Sequence, residues 1–171
     1  MRLTPKNAEK FATELFKQNL KGIQLEFRLK QCKEVQKVCL LLAENKEVNI
    51  KALKITAWLH DIGRVDDGDL EHPAKSLELA KNQFKKIDEI IEDCIINHAA
   101  KSKPKTKEGR LFQLADKLSL LSPQLFIESL KDNKEGAINF FSENFTKLLE
   151  LSRNFDFHDE VKEKAKQEVS Q

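Results

Sequence analysis

Apolar residues recur along this chain at three- and four-residue intervals, the spacing that lines one side of an α-helix. Thr4-Pro5 supplies an N-cap and a first-turn proline for a helix to about residue 19, with Phe11, Leu15 and Phe16 on its apolar side. Gly22 separates it from a longer helix, about 24 to 45, striped by Phe27, Val35, Val38 and Leu42. Asn49 caps a third, carrying Leu53, Ala57 and Trp58 and ending at His60-Asp61, with Gly63 as the expected stop. An acidic loop follows, Val65-Asp66-Asp67-Gly68-Asp69, and His72-Pro73 opens a short helix to about 82. Ile87, Ile90, Ile91, Cys94 and Ile95 mark a helix over about 87 to 99, and a lysine-rich loop over 101 to 107 surrounds Pro104. Further helices are predicted over about 108 to 121, from Pro123 to about 131, from beyond Gly136 to about 153, and from about Asp159 to the charged end. The pattern predicts an all-α protein, and the length predicts one domain.

Composition agrees with that reading and narrows it. Only 5 glycines and 4 prolines stand among 171 residues, with 40% hydrophobic and 34% charged, the balance of a helical globular protein. A net charge of +2 gives no electrostatic case for nucleic acid or a membrane surface. No segment reaches the length of a membrane span, and Met1 to Lys6 lacks the apolar run of a signal peptide, so the expectation is a cytoplasmic protein. Cys32, Cys39 and Cys94 form no CxxC pair and are expected as small core residues of a reducing compartment.

Four polar positions break the apolar faces. Gln31 stands in the stripe of Phe27, Val35, Val38 and Leu42. His60 shares a face with Leu53, Thr56 and Ala57, and Asp61 follows it. His98 aligns with Ile91, Cys94 and Ile95, and Asp116 lies in a helix apolar on both sides. Taken singly, each has an ordinary explanation. A buried glutamine is most often a satisfied hydrogen bonder, a histidine at a helix end a cap on the dipole, and a helical aspartate a solvated one. Together they make a set of nitrogen and oxygen donors converging on one core, suited to Zn, Mn, Fe or Mg.

The order of these residues resembles the HD superfamily of metal-dependent phosphohydrolases. His60-Asp61-Ile62-Gly63 matches the family's adjacent His-Asp pair and its Ile-Gly tail, and Ala115-Asp116-Lys117-Leu118 matches the distant aspartate. His72-Pro73 and Asn97-His98 resemble the intermediate histidines that line the phosphate pocket or bind a second metal. Aligning Val35, Val38 and Leu42-Ala43 puts the family's first histidine on Gln31, a neutral oxygen donor in place of imidazole. The resemblance implies an all-α HD-type bundle, with motifs over 27 to 121 and accessory helices over 123 to 171. It implies a divalent metal (Mn, Mg, Zn or Fe) held by His60, Asp61, Asp116 and Gln31, with affinity lowered by the glutamine.

The implied chemistry is hydrolysis of a small phosphorylated molecule, such as a nucleotide, with the metal as Lewis acid. Asp61 would orient or deprotonate the attacking water, while His72, His98 and Arg64 neutralise charge on the phosphoryl group. Lys101, Lys103, Lys105 and Lys107 read first as a solvated loop and second as an anion-collecting rim, and Asp66, Asp67 and Asp69 as a solvated loop. The alternative that Gln31 brings is a catalytically impaired HD-like domain serving as a ligand-binding or regulatory module. A plain helical interaction protein, docking through its charged C-terminal helix, is a third reading.

Overall fold

A computed structural model describes residues 1–65, 71–132 and 134–152, and among these it contains eight α-helices. Helix α1 (Pro5–Asn19) starts at Thr4, whose hydroxyl accepts from the Asn7 N–H at 3.2 Å. Helix α2 (Gly22–Leu42) opens on Gly22, whose φ of 53° lies in the left-handed region where a glycine costs least. Helix α3 (Ile50–Leu59) is capped by Asn49, which accepts from the Ala52 N–H at 3.0 Å. The Asn49 N–H donates in turn to Glu108 at 2.8 Å, which ties the start of α3 to α6. A 3-10 turn (Ile62–Val65) follows α3. Then come α4 (His72–Gln83), α5 (Glu89–Ile96), α6 (Lys107–Ser119), α7 (Pro123–Asp132) and α8 (Lys134–Ser152).

Helix α3 is the spine. Its residues from Ala52 to Leu59, Lys54 excepted, are buried, because it lies between two apolar clusters. On one side Ile55, Trp58 and Leu59 pack with Ala8, Ala12 and Phe16 of α1 and Ile91 and Ile95 of α5. On the other, Leu53 and Ala57 meet Val35 and Cys39 of α2 and Leu111, Phe112 and Ala115 of α6. Helix α2 packs on α3, α6 and α7, while α4 lies on the 3-10 turn and on α5. From Ala52 onward the apolar residues of α3 are thus committed to packing, Ile50 at its start being exposed, and its polar C-terminal end is carried into the interior with it.

Several boundaries differ from the periodicity. Helix α2 stops at Leu42, and Asn45 takes a left-handed φ of 59°, which its short polar side chain tolerates. Helix α5 ends at Ile96, so His98 stands on the loop beyond it. Helix α8 begins at Lys134, with Gly136 inside its first turn. Gly63 is not a left-handed stop; it sits within the 3-10 turn and owes its place to a close backbone approach. Asp66, Asp67, Asp69 and the helix expected from Asp159 lie outside the described residues. Cys32, Cys39 and Cys94 are buried free thiols, and no described helix is long and apolar enough to cross a membrane.

Candidate metal centre

His60 is the C-cap of α3, and its backbone N–H donates to the Thr56 carbonyl at 2.9 Å. The ring Nδ1 lies 3.2 Å from the Ala57 carbonyl, so Nε2 is the nitrogen turned to the interior. Asp61 begins the sharp turn, closed by the Arg64 N–H on the Asp61 carbonyl at 3.1 Å. That turn receives α4 almost in van der Waals overlap: a Cβ at Gly63 would lie 2.5 Å from the His72 carbonyl oxygen and 2.7 Å from the Ser76 nitrogen. The Gly63 N–H donates to the Ser76 hydroxyl at 2.8 Å, and this clamp delivers His72 to Asp61.

His98 arrives from the other side. Its Nδ1 is 2.7 Å from the Ile95 carbonyl, which assigns the proton to Nδ1 and leaves Nε2 facing inward. The loop behind it is pinned by Gln113, whose amide reaches the carbonyls of Asn97, Ala99 and Ser102 at 3.2, 2.6 and 3.1 Å. Asp93 holds the far end of the same loop, accepting from the Thr106 N–H at 2.8 Å and the Thr106 hydroxyl at 2.6 Å.

His60, Asp61, His72, His98 and Asp116 are all buried. The His60 Nε2 lies 3.5 Å from Asp116 Oδ1 and 3.8 Å from Asp61 Oδ2. Asp61 Oδ1 lies 3.2 Å from His72 Nε2 and 3.5 Å from His98 Nε2, and those two nitrogens are 2.9 Å apart. Asp61 therefore joins two donor groups, one with His60 and Asp116 and one with His72 and His98. The ligating atoms of Asp61, His72 and His98 all fall within 4.8 Å of one another. His60 Nε2, Asp61 Oδ1 and Asp116 Oδ1 are buried and meet one another, His72 or His98 through contacts of 3.2–3.5 Å without a well-aligned hydrogen bond. Buried polar atoms are normally paired, and donors sharing one ion at bonds of about 2.1 Å stand about 3.0 to 3.5 Å apart. Asp61 Oδ1, His72 Nε2 and His98 Nε2, at 3.2, 3.5 and 2.9 Å from one another, have the spacing of donors around one divalent cation.

Burial works against the charged form of both carboxylates, but their neighbours outweigh it. His60, His72, His98 and Arg64 hold Asp61 well below the usual carboxylate range, and Lys117 with His60 and His98 does the same for Asp116. Burial likewise opposes a charge on His60, yet Asp61 and Asp116 push it up from its ordinary value. For His98 burial prevails, with the charge of His60 adding to it, and its pKa falls.

The structure gathers His60, Asp61, Arg64, His72, His98 and Asp116 in one place, with the Arg64 Nε 2.9 Å from Asp61 Oδ2. Gln31 is also buried, but its Oε1 accepts from Arg28 Nη1 at 2.8 Å, and that same Nη1 reaches Asp61 Oδ2 at 3.2 Å. Lys101, Lys103, Lys105 and Lys107 are exposed. Sequence reasoning missed Arg28 and Lys117 as members. Arg28 precedes Gln31 by three residues, one helical turn, and that spacing was the available signal. Lys117, beside Asp116, places its Nζ 2.6 Å from Oδ2.

Comparison with known proteins adds a family to this geometry. The HD domain profile matches residues 28–121, the span from Arg28 through α6. The chain is 36% identical over 100 residues to ribonuclease Y of Lawsonia intracellularis, covering 57% of this chain and 19% of that protein. It is 30% identical over 129 residues to ribonuclease Y of Finegoldia magna, covering 75% of this chain and 23% of that protein. The chain therefore spans about a fifth of the length of these curated relatives. No solved structure matches it. The matched span takes in the His60-Asp61 pair, both intermediate histidines and Asp116, within an all-α bundle, and the chain belongs to the HD domain family.

Proposed function

We propose that this protein is a metal-dependent phosphohydrolase whose divalent ion is held by His60, Asp61 and Asp116, with His72 and His98 beside it. The observation that carries the reading is the convergence of five buried donors, His60, Asp61, His72, His98 and Asp116, through contacts of 2.9–3.8 Å. A buried polar group left without a good hydrogen bond costs about 1–3 kcal/mol, a penalty that a cation bound among these donors removes. Family membership supports the same assignment, since HD domains bind divalent metals. A bound ion supplies Lewis acidity at a phosphoryl oxygen and acidifies water.

The chain's own residues do the rest. Asp61, kept ionised by its cationic neighbours, offers a carboxylate oxygen that orients a water by accepting its hydrogen bond. Neutral His98 presents an Nε2 lone pair to the same space, because Nδ1 holds its proton on Ile95. Arg64, with Nη2 3.2 Å from His72 Nε2, stands where a guanidinium can neutralise charge growing on the transferring phosphoryl group. Gln31 takes part through Arg28, whose Nη1 it accepts at 2.8 Å. The substrate class this supports is a small phosphorylated molecule such as a nucleotide. A second reading, an RNA phosphodiester, is favoured by the relatives' being named ribonucleases.

The test is metal content and hydrolysis together. Protein incubated with Mn²⁺ and desalted is expected to retain about one ion per chain, lost in Asp61→Ala and Asp116→Ala. Hydrolysis of an aryl phosphate, a nucleotide panel and a short oligoribonucleotide sorts the two substrate readings. Metal retention without turnover of any of them leaves a ligand-binding HD domain; absence of both refutes the proposal.

A further inference from the structure

The centre already contains a cation of its own on the α2 side. Arg28 Nη1 is 2.8 Å from Gln31 Oε1 and 3.2 Å from Asp61 Oδ2, so one nitrogen bridges the two residues. The Arg28 guanidinium lies 5.7 Å from the centre of the Phe27 ring, and the side chain is 24% exposed. Both acceptors matter for metal binding. The amide oxygen is the one atom of a glutamine side chain able to ligate, and Asp61 is common to both donor groups of the centre.

We propose that Arg28 sets the metal affinity of this centre, its guanidinium competing with a divalent ion for Asp61 Oδ2 and for the Gln31 carbonyl. The inference rests on the metal-centre reading above and adds a residue that opposes the ion. Without metal, Arg28 compensates a buried carboxylate that would otherwise be costly to keep charged. An ion shared by His60, Asp61 and Asp116 brings two positive charges next to the guanidinium, and the two repel. Partial exposure gives Arg28 a way out toward water, so the ion binds, but against the work of displacing it. The Arg28 contact is on Asp61 Oδ2, while Asp61 Oδ1 faces His72 Nε2 at 3.2 Å and His98 Nε2 at 3.5 Å, so an ion can engage that other oxygen first.

The experiment is titration calorimetry with MnCl₂ on the full chain, comparing wild type, Arg28→Met and Arg28→Lys. Methionine keeps the apolar stem and removes the charge; lysine keeps the charge and loses the planar guanidinium. Arg28→Met is expected to bind Mn²⁺ about tenfold more tightly than wild type, and Arg28→Lys to fall between them. Thermal melts give an independent reading through linkage: Arg28→Met melts lower than wild type without metal and gains more from Mn²⁺. Equal or weaker Mn²⁺ binding in both variants, with wild type binding measurably, overturns the role of Arg28 and leaves the metal centre standing. No Mn²⁺ binding by any of the three chains overturns both.

Discussion

Replacing Gly63 with alanine adds one methyl group at the junction that delivers His72 to the centre. The new carbon would lie 2.5 Å from the His72 carbonyl oxygen, 2.7 Å from the Ser76 nitrogen and 2.9 Å from the Lys75 Cβ. Two of these are backbone atoms of the first turn of α4, so no side-chain rotation relieves the contact; the helix must back away. Overpacking of this kind costs about 1–3 kcal/mol. Retreat of α4 also breaks the 2.8 Å bond from the Gly63 N–H to the Ser76 hydroxyl, both buried. An unpaired buried donor adds about 1–3 kcal/mol. The two effects overlap, so the expected loss is about 3 kcal/mol, which for a chain of this size lowers the melting temperature by about 6–12 °C. Differential scanning calorimetry measures it. Gly22→Ala is the contrast: nothing lies within 4 Å of its added carbon, and the cost is the left-handed backbone alone, about 1 kcal/mol. A Gly63→Ala protein melting within a degree or two of wild type would refute the close-approach account of this turn.

Three further outcomes follow from the same geometry. Gln31→His, which restores an imidazole at that position, is expected to tighten Zn²⁺ binding in calorimetry by about tenfold, because zinc prefers nitrogen to amide oxygen; an unchanged affinity would mean position 31 does not face the ion. Asp93 is held below the ordinary carboxylate value because the hydrogen bonds from Thr106, Lys105 and Asn97 outweigh its burial. A depressed folded pKa gives stability that is fully present above about pH 4 and is lost as pH falls through the folded value. Asp93→Ala should therefore cost about 2 kcal/mol at neutral pH and progressively less in acid; a deficit that persists undiminished through acid denaturation would contradict that assignment. Burial pushes the thiols of Cys32, Cys39 and Cys94 up, so a disulfide reagent should label none in the native protein and all three after unfolding; rapid labelling of the native chain would count against their burial.

The helices were legible where apolar periodicity and caps agree. Thr4 and Asn49 cap α1 and α3 as their positions predict, and the two-sided apolar pattern around Asp116 placed it in the interior. His60, Asp61, His72, His98 and Asp116 were legible as polar residues interrupting apolar faces or opening helices, in an order that resembles HD proteins. Arg28 was not, because an arginine beside an apolar stripe looks like any solvated helix charge until Asp61 is brought across from 33 residues away. Gln113 escaped notice for a related reason: its three partners are carbonyls of a loop whose path no periodicity describes. Gly63 was seen but misjudged, since a glycine after a helix fits a left-handed cap equally well, and only the passage of α4 over the turn shows why a side chain cannot stand there.

The proposed sharing of one divalent ion by His60, Asp61 and Asp116 underlies the other proposals for this centre. Its most direct measurement is Mn²⁺ titration of wild type against Asp116→Asn, a near-isosteric change that removes the charge and keeps a carbonyl at a site outside the His72 and His98 group. The account predicts about one ion per wild-type chain, with affinity at least about tenfold weaker in the variant. Equal Mn²⁺ affinity in the two proteins would contradict it and assign any bound ion to Asp61, His72 and His98 alone.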